Sequence, residues 1–103
     1  MFHVLVALAE EERHGYGILK SIADRTGGSV DLSTGTLYTM IKRLLADGVI
    51  VEARRRPVPG DDERRKYYRL TDFGRRVVEA ESARLQGMVA AARSAGVLRR
   101  SES

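Results

Sequence analysis

Residues 31–71 read DLSTGTLYTMIKRLLADGVIVEARRRPVPGDDERRKYYRLT, and within them a helical pattern gives way to an alternating one. Ser33 is a good N-cap, and Leu37, Ile41, Leu44 and Leu45 follow at spacings that make one apolar helix face. Asp47-Gly48 ends that helix. Val49-Ile50-Val51 is short, apolar and β-branched, which suits a strand. Pro57, Pro59, Gly60 and Asp61 make a turn-rich loop. After it Lys66, Tyr68 and Leu70 alternate with Tyr67 and Arg69, the period of a second strand. Of the two tyrosines, one belongs in the core and the other at its margin. The two strands pair as a hairpin with a long basic tip.

Upstream, Val4, Leu5, Leu8 and Ala9 place a first helix over residues 2–12. Glu10, Glu11 and Glu12 oppose its macrodipole, so that end should fray or turn quickly. His14-Gly15-Tyr16-Gly17 breaks the pattern. A second helix runs through Ile18, Leu19, Ile22 and Ala23 until Gly27-Gly28 stops it. Downstream, Thr71 caps a last helix that reaches about Ala95, with Asp72 well placed in its first turn. Residues beyond Gly96 are expected to fray. Three helices, a hairpin and a final helix make a mostly α fold with a small β-hairpin, the winged helix-turn-helix. The expected division is a winged helix-turn-helix domain over 1–71, a dimerisation helix over 72–96 and a flexible tail over 97–103.

The 103 residues suit one domain, and an apolar share of 43% excludes a mostly disordered chain. Without cysteine there is neither a disulfide framework nor a thiolate metal site. No apolar run approaches the roughly 20 residues of a membrane span, and no basic region precedes an apolar stretch at the start. A soluble cytoplasmic protein with no membrane partner and no cofactor is expected. Enzyme signatures are missing. His3 and His14 do not form an i, i+4 pair, no glycine loop cradles a phosphate, and Ser33 has no adjacent base. Asp61, Asp62 and Glu63 lie in a loop ill suited to hold a metal.

The net charge of +4 is concentrated. Seven basic side chains and three acids fall between Arg54 and Arg69, and elsewhere the two signs cancel. Such a stripe is the footprint of a polyanion binder. The second helix of a helix-turn-helix pair enters the major groove N-terminus first. Here its outer face carries Thr34, Thr36, Thr39, Lys42 and Arg43, with Tyr38 at the margin. Ser33 and the helix N-terminus suit phosphate oxygens, and Gly35 lets the backbone come near one. No Asn or Gln lies near the start of this helix, so shape readout is expected to matter more than bidentate reading of adenine. On the wing, Arg64 and Arg65, followed by Lys66, are placed to follow phosphates or lie in a minor groove. On the last helix Val78, Leu85, Met88 and Ala92 recur at spacings near 3.5, with Val77 and Val89 beside them. That surplus apolar surface points to a homodimer, with recognition helices for two half-sites about 34 Å apart. The competing class is a winged-helix adaptor that binds protein without DNA. RNA binding is disfavoured by the scarcity of aromatic platforms.

Four motifs in order resemble the PadR-type transcriptional regulators. They are His14-Gly15-Tyr16-Gly17-Ile18; Gly35-Thr36-Leu37-Tyr38; Arg43-Leu44 with Asp47-Gly48; and Arg64-Arg65-Lys66-Tyr67-Tyr68-Arg69-Leu70-Thr71 with Gly74. The resemblance spans residues 2–93. It implies a winged-helix repressor, dimeric through its terminal helices and responsive to a small phenolic or toxic compound, so that a small aromatic effector is expected. It also implies that Tyr38 and its neighbours meet DNA, and that Tyr67-Tyr68 lies in the second wing strand. Gly15 and Gly17 are expected to let two helices approach closely. Three features depart from the pattern. Thr34 stands where such proteins often place proline, Met1 begins almost inside the first helix, and no large C-terminal domain follows. The chain therefore resembles the short class with a single dimerisation helix. It also has no tryptophan of the kind that sandwiches flat ligands in some short relatives.

Overall fold

The computed structural model describes residues 1–54 and 65–99. In chain order it contains α1 (Phe2–Glu10), β1 (Arg13–His14), α2 (Gly15–Thr26), α3 (Thr34–Ala46), β2 (Ile50–Ala53), β3 (Tyr67–Leu70) and α4 (Asp72–Ser94). The expected order of helices and hairpin is present, with one strand added. Arg13–His14 pairs antiparallel with β3, so the sheet has three strands in the order β1-β3-β2. The two-stranded wing expected from sequence is thus braced from its other side. A two-residue strand leaves no periodicity to read, which is why the pattern did not reveal it.

The segment expected as a break is the start of α2. His14 is its N-cap, and the imidazole Nδ1 accepts the Gly17 N–H at 3.0 Å. Histidine is an unusual cap, and the glycines on either side of Tyr16 hide the helical pattern that begins there. The end of α1 comes at Glu10 instead of Glu12. Arg13 gathers the acids there: its guanidinium lies 2.7 Å from Glu10 and 3.3 Å from Glu11, and its Nε–H donates to the Ala7 carbonyl at 2.9 Å. Arg25 of α2 reaches the same Glu10 carboxylate at 2.9 Å. These cations hold the Glu10 carboxyl below the usual glutamate range, Arg25 more than Arg13.

Helices α1, α2 and α3 bury Val4 and Leu8, Ile18 and Ile22, and Leu37, Ile41 and Leu44 in one core. The sheet closes that core with Ile50, Tyr68 and Leu70. Tyr68 is buried and Tyr67 half-buried, the split expected from alternation. Leu45, expected on the apolar face of α3, is 39% exposed. One residue is about 100° of helix rotation, so Leu45 is turned away from the Leu37–Ile41–Leu44 line. Val49, expected to open the first strand, belongs to the turn that closes α3: its N–H donates to the Leu44 carbonyl at 3.0 Å. Lys66 likewise precedes β3 instead of belonging to it.

Thr71 caps α4 as expected, its Oγ1 accepting the Gly74 N–H at 2.9 Å. The same hydroxyl lies 2.7 Å from the Gly48 carbonyl and 3.1 Å from that of Val49. Gly74 is pressed so closely on this junction that a Cβ there would stand 1.9 Å from the Val49 oxygen. Helix α4 therefore starts against the end of α3, where no side chain at position 74 fits. It then packs on α1 through Val78 and runs on with most of its surface exposed. Gly96 closes it in a left-handed turn, and the Val97 N–H reaches back to the Ala92 carbonyl at 3.0 Å. No helix among the described residues is long and apolar enough to cross a membrane.

Candidate nucleic-acid interface

The outer face of α3 begins at Ser33. Its hydroxyl accepts the Thr36 N–H at 3.1 Å and donates to the Thr36 hydroxyl at 2.8 Å, which fixes the first turn. Beyond it Thr34, Gly35, Thr36, Tyr38, Thr39, Lys42 and Arg43 are all exposed. Thr39 donates to the Gly35 carbonyl at 3.0 Å, so its methyl faces outward instead of its hydroxyl. Arg43 leans toward Asp47 at 3.7 Å, an exposed pair with little hold on either group. The helix thus presents hydroxyls, a methyl and two cations over its first three turns, while Leu37 and Ile41 behind them anchor it in the core.

Tyr38 is turned toward α2. A Cβ at Gly15 would lie 2.7 Å from its phenolic oxygen, so a side chain there would displace the tip of the tyrosine, in line with the close packing expected of Gly15. At Gly17 the nearest atom to such a Cβ is 3.5 Å away, in His14, and space is not the constraint. Arg65 and Lys66 are exposed at the foot of β3, and the Arg65 guanidinium lies 3.3 Å from His14 Nε2. The imidazole also meets the Tyr67 ring edge-on, with centroids 5.1 Å apart. Start of α2, middle of α3 and foot of the wing are thereby brought to one place. Arg64, expected to contact DNA, lies outside the described residues, as do Arg55, Arg56 and the residues Pro57, Pro59, Gly60 and Asp61 expected to form the turn-rich loop.

On α4 the expected interface stripe divides. Val78 is buried in the domain's own core. Leu85 and Ala92 are partly covered, while Val89 and Met88 are exposed, Met88 at 58%. Arg84 bridges Glu81 and the Met88 sulfur along the same helix. Two further residues, His14 and Tyr16, stand near the wing. Tyr16 is 68% exposed and stacked on His14 with ring centroids 6.4 Å apart. Neither had a periodic signal, because strand β1 and the cap of α2 bring them there. Among the described residues no cluster of His, Cys, Asp or Glu is arranged to hold a metal.

The geometry has counterparts in known proteins. The model of the Transcriptional regulator PadR-like family matches residues 4–80. An uncharacterised protein of Lysinibacillus sphaericus is 39% identical over 72 residues, which is 70% of this chain and 64% of that protein. The chain thus accounts for somewhat under two thirds of the length of that relative. Among solved structures, a transcriptional regulator from Clostridium thermocellum superposes with a TM-score of 0.74 at 26% identity, covering 90% of this chain and 85% of that one. Bacillus subtilis PadR in complex with operator DNA gives a TM-score of 0.64 at 25% identity, covering 77% of this chain and 44% of that one. The winged-helix architecture, the order of the motifs and the extent of the match agree, and the chain belongs to the PadR-like family of transcriptional regulators.

Proposed function

We propose that this chain regulates transcription by binding duplex DNA sequence-specifically as a homodimer on an inverted repeat. The observation that carries the reading is the single surface formed by the exposed polar face of α3 and the cationic foot of the wing. The complex of Bacillus subtilis PadR with operator DNA supports it by kinship. The first turns of α3 enter the major groove, with Thr34, Thr36, Tyr38 and Thr39 near base edges and Lys42 and Arg43 toward phosphates. Arg64, Arg65 and Lys66 follow the backbone or the minor groove. Leu85, Met88, Val89 and Ala92 of α4 pair with their counterparts in a second subunit. The dimer acts as a repressor by excluding polymerase. A small aromatic effector, bound between α4 and α1, changes the separation of the two recognition helices and releases the DNA.

Selection from a random duplex library at moderate salt tests this, followed by a salt titration on the enriched site. An enriched inverted repeat, with half-site centres one helical turn apart, is expected. Affinity should fall steeply as salt rises. Absence of duplex binding even at low salt would overturn the reading and leave a protein-binding adaptor in its place.

A further inference from the structure

Between the start of α2, the exposed face of α3 and the foot of the wing lies a notch of about 450 Å³, lined by His14, Gly15, Tyr16, Tyr38, Arg65, Lys66 and Tyr68. Its chemistry is one-sided. Three phenols and two cations line it, and among the described residues no carboxylate does; Glu52, the neighbour of Tyr68 on the adjacent strand, is not among the lining residues. Tyr16 and Tyr38 expose 68% and 50% of their surfaces, so both can turn a hydroxyl to a group in the notch. Burial pushes the Tyr68 phenol above its ordinary value, with Tyr38 and Glu52 adding to the shift, so it stays a neutral donor. Phenolic O–H groups and an ammonium or guanidinium all donate and none needs to accept, which suits an anionic oxygen.

We infer that this notch seats one backbone phosphate of the duplex, with Tyr16 as a DNA-contacting residue beside Tyr38, Arg65 and Lys66. The inference rests on the DNA-binding reading and adds a site to it. Its walls come from three elements, the start of α2, the exposed face of α3 and the foot of the wing. Gly15 admits Tyr38 where any Cβ would collide with its hydroxyl, and β1 pairs with the strand that carries the wing's foot. A phosphate held there sets how deeply α3 enters the groove. It therefore acts on the register of all sequences alike and leaves base preference to α3.

The test uses the full chain and the duplex enriched by selection. Tyr16→Phe keeps the ring against His14 and removes only the hydroxyl, and an unchanged thermal melt verifies that the fold is intact. The expected loss of affinity is roughly ten-fold, the scale of one hydrogen bond to a charged group, with the order of preferred sites unchanged. Lys66→Met should weaken all sites uniformly and lower the salt slope by about one. Neutral methylphosphonate placed at each phosphate in turn should identify one position per half-site where the wild type weakens and Tyr16→Phe does not weaken further. The inference is overturned if wild type binds the duplex and Tyr16→Phe binds it equally well. It is equally overturned if the Tyr16→Phe loss persists with every phosphate neutralised in turn. A wild type that binds no duplex at all would instead remove the DNA-binding reading beneath it.

Discussion

At the end of α3, Gly48 takes φ 72° and the Val49 N–H reaches back to the Leu44 carbonyl at 3.0 Å. At the end of α4, Gly96 takes φ 79° and the Val97 N–H reaches the Ala92 carbonyl at 3.0 Å. The two closures share backbone, glycine and valine, and in each the glycine N–H donates to the carbonyl three residues back. They differ in where they lead. Val49 and the following Ile50 are buried in the core, whereas Val97 is 79% and Leu98 42% exposed. A helix ending is thus written locally, and whether its apolar exit residues stabilise anything depends on what the rest of the chain places beside them. On α3 they meet the sheet and the start of α4. On α4 they stay exposed, as Met88 and Val89 do.

The largest effect expected from this contrast is at Gly74. Alanine there drives a Cβ into the Val49 carbonyl, a backbone atom that cannot step aside, and should destabilise by about 3 kcal/mol or more in urea unfolding. Gly87, on the exposed part of α4 with nothing within 4 Å of its Cβ position, should instead be neutral or stabilised by up to about 1 kcal/mol as alanine. A matched pair follows at the exits. Val49→Ala should cost about 2 kcal/mol and Val97→Ala less than about 0.5 kcal/mol in the same assay on the monomer. Equal losses would break the comparison.

The capping glycines sharpen it further. Alanine at Gly48 or Gly96 meets the same left-handed strain, about 1 kcal/mol. At Gly48 the strain should lower global stability, while at Gly96 it should only speed amide exchange in the last turn of α4. The smallest effect lies at the end of α1, which has no glycine and is closed by Arg13 instead. Glu10 has a lowered carboxyl pKa, so its pairing with Arg25 and Arg13 stabilises the fold above the ordinary value of 4.5. That contribution is lost as pH falls through the lowered folded value. Glu10→Gln should therefore differ slightly from wild type at neutral pH, and the difference should vanish in acid.

Much of this architecture was legible because it rests on local rules. The caps at Ser33 and Thr71, the apolar spacing of Leu37, Ile41 and Leu44, and the alternation of Tyr67 and Tyr68 each follow from a few neighbouring residues. What was hidden depends on partners far along the chain. Strand β1 exists because β3 offers an edge more than fifty residues later, and the same His14 that pairs there also caps α2. Leu45 and Val78 show the same limit from the other side. Both are apolar and on helical spacing, yet one faces water and the other the domain's own core. For the candidate site, the exposed face of α3 could be read from sequence. Tyr16 could not, since its place beside Tyr38 comes from the approach of α2 to α3 at Gly15.

The carbonyl of Val49 receives the Thr71 N–H and hydroxyl, both at 3.1 Å, and lies against Gly74. Mechanically this is a welded joint between the end of α3 and the root of α4. Helix α4 is 23 residues long, about 34 Å from that root to its tip. Its first turn is held against the turn that follows α3, so a displacement at the root of α4 is expected to be felt first at that turn.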